Sequence, residues 1–128
     1  MNMKMTSLAA VALILGAAWP ALAQSPSLLE TSRVLRDGMR AAAQIEDYET
    51  ARRLNQAALS IQPGHSGLLN NEVLLAGFAG DIDSQFKALE ALASAGLSYD
   101  LEARVRNLAA LNAADAGRLA ALRSAFAS

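Results

Sequence analysis

The chain contains no cysteine, and among its 128 residues there are one histidine, one tryptophan, two tyrosines, three phenylalanines and three prolines. Each scarcity excludes something. Without cysteine there is no disulfide staple, no thiolate metal cage and no lipid-bearing N-terminal cysteine. The lone His65 has no second histidine or thiol with which to build a zinc-type ligand set, so no metal or other cofactor is expected. Aromatics make up 5% of the residues, so the interior has to be built from closely spaced elements with small side chains between them. The Ala- and Leu-rich remainder, poor in β-branched residues, favours helix over strand. The charge is nearly balanced, with 11 Lys+Arg against 12 Asp+Glu, and no basic run occurs. Nucleic acid is therefore not an expected partner. The length leaves room for one domain.

The N-terminus reads as an address. Lys4 is the only charge before an apolar run from Leu8 to Trp19, and Pro20 then precedes Ala21-Leu22-Ala23. A positive start, a short apolar core and an A-x-A site describe a secretory signal peptide. The run is too short for the roughly 20 residues that span a bilayer as a helix. Residues 1–23 are thus expected to be removed after Ala23, leaving residues 24–128 as a periplasmic or secreted protein with no stable membrane anchor.

The rest of the chain is organised by a repeat. Asp47, Asp81 and Asp115 recur every 34 residues, and on that frame Ala42, Ala76 and Ala110 align, as do Ala41/Leu75/Ala109, Ile45/Ala79/Ala113 and Tyr48/Ile82/Ala116. Paired helices at such a period mark a helical solenoid. Apolar spacing places helices over about Leu28–Gln44, Tyr48–Ile61, Ser66–Ala79, Asp83–Ala95, Leu101–Asn112 and from Asp115 to the end. Ser27 and Glu30 form a capping-box pattern at the first start. Pro63-Gly64 ends the second helix and Gly80 the third. The three periodic aspartates are expected as helix caps rather than a metal ladder. Phe86 belongs to the buried stripe of the fourth helix, and Phe78 widens that of the third. Arg52, Arg53, Asn55 and Gln56 form the wet side of the second.

Chemistry-bearing groups are few. His65 lies between a turn and a helix start, where an exposed loop residue is expected. Ser32, Ser60, Ser66 and Ser94 have no nucleophile-elbow sequence around them, and no glycine cluster carries the Lys-Ser/Thr of a phosphate loop. The sequence therefore points away from an enzyme.

At these positions the chain resembles the tetratricopeptide repeat proteins. Tyr48, Ala51, Ala58 and Pro63 match the aromatic, the two small packing alanines and the closing proline of that consensus, and Gly80, Ile82 and Leu89 match the next copy more loosely. Gln85 and Leu92 stand where small residues are usual, Gly38-Met39 inverts the family's Leu-Gly pair, and Asn55 replaces an aromatic. The stretch from Gln62 to Asp100 is also similar to a helical module of exported bacterial proteins, sometimes found ahead of a lactonase-like propeller. The first resemblance implies an all-α fold, three helix pairs in a right-handed stack, acting as a module that binds a peptide or protein on its concave face. The second implies a detached regulatory or helper domain of an exported enzyme. On the first, the partner-binding residues are Arg36, Arg40, Asn70, Asn71 and Arg104. Asn71, Arg36 and Arg40 match positions from which family members hold the C-terminal carboxylate of a peptide, and Leu101 and Val105 leave that set incomplete. Arginine suits the task because its fork holds a carboxylate bidentately.

Overall fold

The computed structural model describes residues 26–127. The expected signal segment lies outside them. Seven helices and no strand occur among the described residues: α1 Pro26–Gln44, α2 Tyr48–Ile61, α3 Ser66–Ala79, α4 Ile82–Ser94, α5 Leu101–Arg104, α6 Leu108–Ala114 and α7 Ala116–Ala127. Each long helix packs on the next, α1 on α2, α2 on α3 and α3 on α4; α4 then meets α6 and α7, which pack on each other. None of these helices is long and apolar enough to cross a membrane.

The 34-residue period is written into the helix starts. Asp47 accepts the Thr50 N–H (3.2 Å), Asp81 the Ser84 N–H (3.1 Å) and Asp115 the Arg118 N–H (3.0 Å). Each carboxylate thereby satisfies a backbone donor that the first turn leaves unpaired. Asp100 does the same for Ala103 at α5. The turns into α2 and α4 also share their backbone bonds, since the Asp47 N–H reaches Ala42 O and the Asp81 N–H reaches Ala76 O, both at 2.9 Å. Such a turn needs one residue in the left-handed region. Gly80 fills that place at φ 73° and, one period earlier, Glu46 does so at φ 61°, where a side chain makes the conformation less favourable.

Two cores result. The larger joins Leu69 and Val73 of α3, Phe86, Leu89 and Leu92 of α4, and Leu101, Val105, Leu111, Leu119 and Leu122 beyond them. The smaller, built from Met39, Ala42, Ala51 and Leu75, ties the first hairpin to α3. Ala51 and Ala58 are fully buried, and their small side chains let α2 sit close to its neighbours.

Four sequence expectations need correcting. The helix expected over Leu101–Asn112 is broken: Val105 is extended (φ −97°, ψ 110°) and separates α5 from α6. The bend lets Val105 enter the core while Asn107 forms a reciprocal amide pair with Gln85, at 3.0 and 2.8 Å. Gln85 also donates to Val73 O (3.1 Å). Side-chain burial and a satisfied polar cluster thus outweigh the intrahelical bonds lost at the break. Asn55, assigned to the wet side, is fully buried, and its Nδ2 donates to Leu68 O (3.0 Å). Ser27 lies inside α1, which begins at Pro26, and Glu30 turns to Arg33 instead of back to the chain start. Phe78, assigned to the stripe facing the core, is 60% exposed.

Candidate interaction surface

On α3 the buried side chains Leu68, Leu69, Glu72, Val73, Leu75 and Ala76 occupy one side of the wheel. The opposite side carries Asn70, Asn71, Leu74 and Phe78, spaced as neighbours on one face. That free face is polar at its N-terminal end and apolar at its C-terminal end. Leu74 is 39% exposed. Phe78 lies against Tyr48 of α2 with ring centroids 4.4 Å apart and 16° between planes.

The five sequence-assigned residues fall into separate settings. Asn70 and Arg104 line one cleft of about 290 Å³, together with Ser66, Gly67, Leu92, Leu97, Ser98 and Tyr99. Arg104 places its guanidinium 5.7 Å from the Tyr99 ring centroid, within range of a cation–π attraction. The Tyr99 hydroxyl and Asn70 Oδ1 are buried without a hydrogen-bond partner among the described residues, and burial raises the Tyr99 pKa. Arg40, an exposed side chain, is held by Asp37 at 3.4 Å, within an i,i+3 pair that the sequence spacing anticipates. Arg36 lies one turn away and is half-buried, with Nη1 3.3 Å from His65 Nε2. Asn71 makes no side-chain hydrogen bond among the described residues, and none joins it to either arginine. The structure therefore brings Asn70 to Arg104, and Arg36 to His65.

His65 is more than a loop residue. Its Nδ1 accepts the Leu68 N–H (3.2 Å), so the imidazole is the N-cap of α3. A ring that accepts at Nδ1 carries its neutral-form proton on Nε2, which then faces an arginine donor; the contact is packing rather than a hydrogen bond. Burial first, and the Arg36 guanidinium second, hold the His65 pKa below its ordinary value of 6.5. A group whose folded pKa is lowered contributes stability that is complete above the unfolded pKa and is lost as pH falls through it. Stability is therefore expected to decline between about pH 7.5 and about pH 5, a window in which no other side chain of ordinary pKa titrates. His65→Asn keeps an acceptor at the cap and removes the titration. Chemical denaturation at both pH values should show a flatter profile for the variant, and an equal decline in both proteins would exclude His65 as the source.

Two further clefts flank Phe78. One, of about 260 Å³, lies between α3 and the α5–α6 link and is lined by Val73, Leu74, Gly77, Phe78, Gln85, Val105, Arg106 and Asn107. The other, of about 430 Å³, is lined by Tyr48, Glu49, Arg52, Arg53, Gln56, Leu75, Phe78 and Ala79. Sequence reasoning missed Leu74 and Phe78 as surface groups. Their signal was an apolar circumference on α3 too wide for one buried side.

Ion pairing separates committed arginines from uncommitted ones. Arg52 binds Glu72 (3.2 Å) and Asp81 (2.7 Å), and Arg118 binds Glu90 (2.6 Å) and Asp83 (3.0 Å). Arg33 and Arg123 are paired as well. Among the described residues Arg36, Arg53, Arg104 and Arg106 have no carboxylate within 4.0 Å; Arg36 lies in α1, Arg53 in α2, Arg104 in α5 and Arg106 in the α5–α6 link. No cluster of three or more His, Cys, Asp or Glu that could hold a metal ion occurs among the described residues.

Compared with protein-family models, with curated proteins and with solved structures, the chain matches none.

Proposed function

We propose that the chain is an exported interaction module, a right-handed stack of three tetratricopeptide-like hairpins that binds a peptide or protein partner on its concave face and performs no chemistry itself. The recurrence of the same aspartate cap at Thr50, Ser84 and Arg118, and of the same turn bond at Ala42 and Ala76, supports the stacked-hairpin reading. The observation that carries the functional reading is the set Arg36, Arg104 and Arg106. These are cations on the first halves of the hairpins left without a carboxylate, whereas Arg52 and Arg118 between helices are fully engaged. A cation with no carboxylate beside it is available for an anionic group on a partner.

The test uses residues 24–128 as bait against an envelope extract, followed by affinity measurement with the captured partner. Replacing both Arg36 and Arg40 by alanine should weaken binding by about 1.5–3 kcal/mol, the scale of a charge-assisted hydrogen bond. Arg40→Ala alone should lose little stability, because that side chain is exposed and exposed arginines contribute little to it, whereas Arg36 is half-buried beside His65. Unchanged affinity would remove these two residues from the site, and capture of nothing would remove the reading. Mass spectrometry of the exported protein should find Gln24 as its first residue; an intact Met1 would end the export claim.

A further inference from the structure

The cleft between α3 and the α5–α6 link differs from the polar end of the same face. Its floor is open because Gly77 has no side chain: a Cβ there would lie 2.7 Å from Gln85 Nε2. The amides of Gln85 and Asn107 that border it already satisfy one another, so they make little demand on a ligand. What remains on offer is apolar: Leu74, Phe78 and the edge of Val105. Phe78 is held in place by its stack on Tyr48, so little rotamer freedom is lost when a ligand covers it. An aromatic side chain that is both fixed and exposed is the usual anchor of an interface, and arginine is its usual companion.

Charge decides the occupant. Arg106 lines this cleft and Arg53 lines the one on the other side of Phe78; neither has a carboxylate within 4.0 Å among the described residues. Glu49 is the one acidic residue lining either cleft. A second copy of the chain offers little counter-charge, because among the described residues Glu46 and Glu49 are its only carboxylates neither paired with an arginine nor capping a helix. An apolar groove between two uncommitted guanidinium groups is complementary to apolar side chains that are flanked by carboxylates.

We infer that this cleft is the anchoring subsite for an acidic peptide segment of a partner, one large apolar side chain of which packs on Phe78 and Leu74 while a neighbouring carboxylate pairs with Arg106. The inference rests on the interaction-module reading and moves its centre from the Arg36–Arg40 helix to the C-terminal half of α3. It also gives the broken α5–α6 segment a role, since the bend at Val105 is what places Arg106 at the rim.

The experiment is a selection of random displayed peptides on the full chain, followed by affinity measurement with a synthetic peptide of the enriched sequence. Enriched peptides should carry a Leu, Ile, Phe or Trp among Asp and Glu residues. Phe78→Ala and Arg106→Glu should each weaken binding by about tenfold or more, near 1.4 kcal/mol, and added salt should weaken it further. Both positions are exposed, so thermal unfolding of the variants should stay close to that of the parent. Enrichment of basic or purely apolar peptides overturns the inference, as does no enrichment, or self-association of the chain that Phe78→Ala abolishes. Acidic peptides whose affinity falls with Arg36→Ala and Arg40→Ala but not with Phe78→Ala would overturn this subsite while leaving the concave-face reading intact.

Discussion

Phe86→Ala is expected to cost about 3–5 kcal/mol, the range for truncating a buried phenylalanine. Phe86 is 1% exposed and sits among Leu69, Leu89, Leu111 and Leu119 in the larger core. Its replacement leaves a cavity where α3, α4 and α7 meet, and the surrounding leucines are already committed to other contacts, so collapse into the gap is limited. A second loss follows from above the ring. The Arg118 guanidinium lies 4.7 Å from its centroid while bonded to Glu90 at 2.6 and 2.7 Å and to Asp83 at 3.0 Å. Without the ring the arginine keeps its carboxylates but loses its floor. Urea denaturation measures the effect, and a loss below about 1 kcal/mol would show that this stripe is not the centre of the interior.

The second large effect concerns a polar cluster. Arg52 reaches Glu72 with Nε (3.3 Å) and Nη2 (3.2 Å), and Nη2 also reaches Asp81 (2.7 Å). The side chains of Arg52 and Glu72 are 17% and 9% exposed, and Glu72 Oε1 has no partner among the described residues. Arg52→Met should cost about 3 kcal/mol, because it leaves a buried carboxylate without a counter-charge and with only the Gln56 amide (3.2 Å) to hydrogen-bond it, rather than because the pair itself is strongly stabilising. The double variant with Glu72→Leu should recover most of that loss, since two desolvated charges are exchanged for apolar packing. If the double variant is as unstable as the single, the pair contributes net stability. Asp81 adds a pH signature. Arg52 first, then the Ser84 hydroxyl and N–H, hold its carboxyl down to about 2. A lowered carboxylate contributes stability that is present above its unfolded pKa and fades as pH falls from about 4 toward 2. In the Arg52→Met variant that acid-side loss should be smaller.

What could be read from the sequence was local and periodic. Aspartates at fixed spacing before apolar runs gave the helix starts, because a cap is a contact between residues three apart in the chain. Pro63-Gly64 and Gly80 gave the stops for the same reason. The stripe Phe86, Leu89, Leu92 was legible from spacing alone. What failed depended on partners distant in sequence. Asn55 looked solvated until Leu68 O came within reach of its amide. Asn107 looked like one more helical residue, and only the presence of Gln85 across the packing makes a break there worthwhile. His65 as a cap was missed because imidazole is seldom the acceptor at a helix start; Ser, Thr, Asp and Asn are the residues preferred there. For the interaction surface, composition located the arginines but not their commitments. Arg36, Arg40 and Arg52 look alike in sequence, and their difference lies in which carboxylates the fold brings beside them.

The bend at Val105 also governs the order in which the molecule opens. Splitting that segment leaves α5 with four residues and α6 with seven, lengths at which a helix gains too few internal bonds to repay its own nucleation. Each is therefore held by what it touches: α5 by Leu101 in the core, α6 by Leu111, and the link by Val105 in the core and the amide pair of Asn107 with Gln85. Where each helix packs mainly on its neighbours in sequence, the free energy of opening need not be uniform along the chain. Amide protons of α5 and α6 should exchange with solvent well before those of α3 and α4, and the C-terminal segment should detach as a unit while α1 to α4 stay packed.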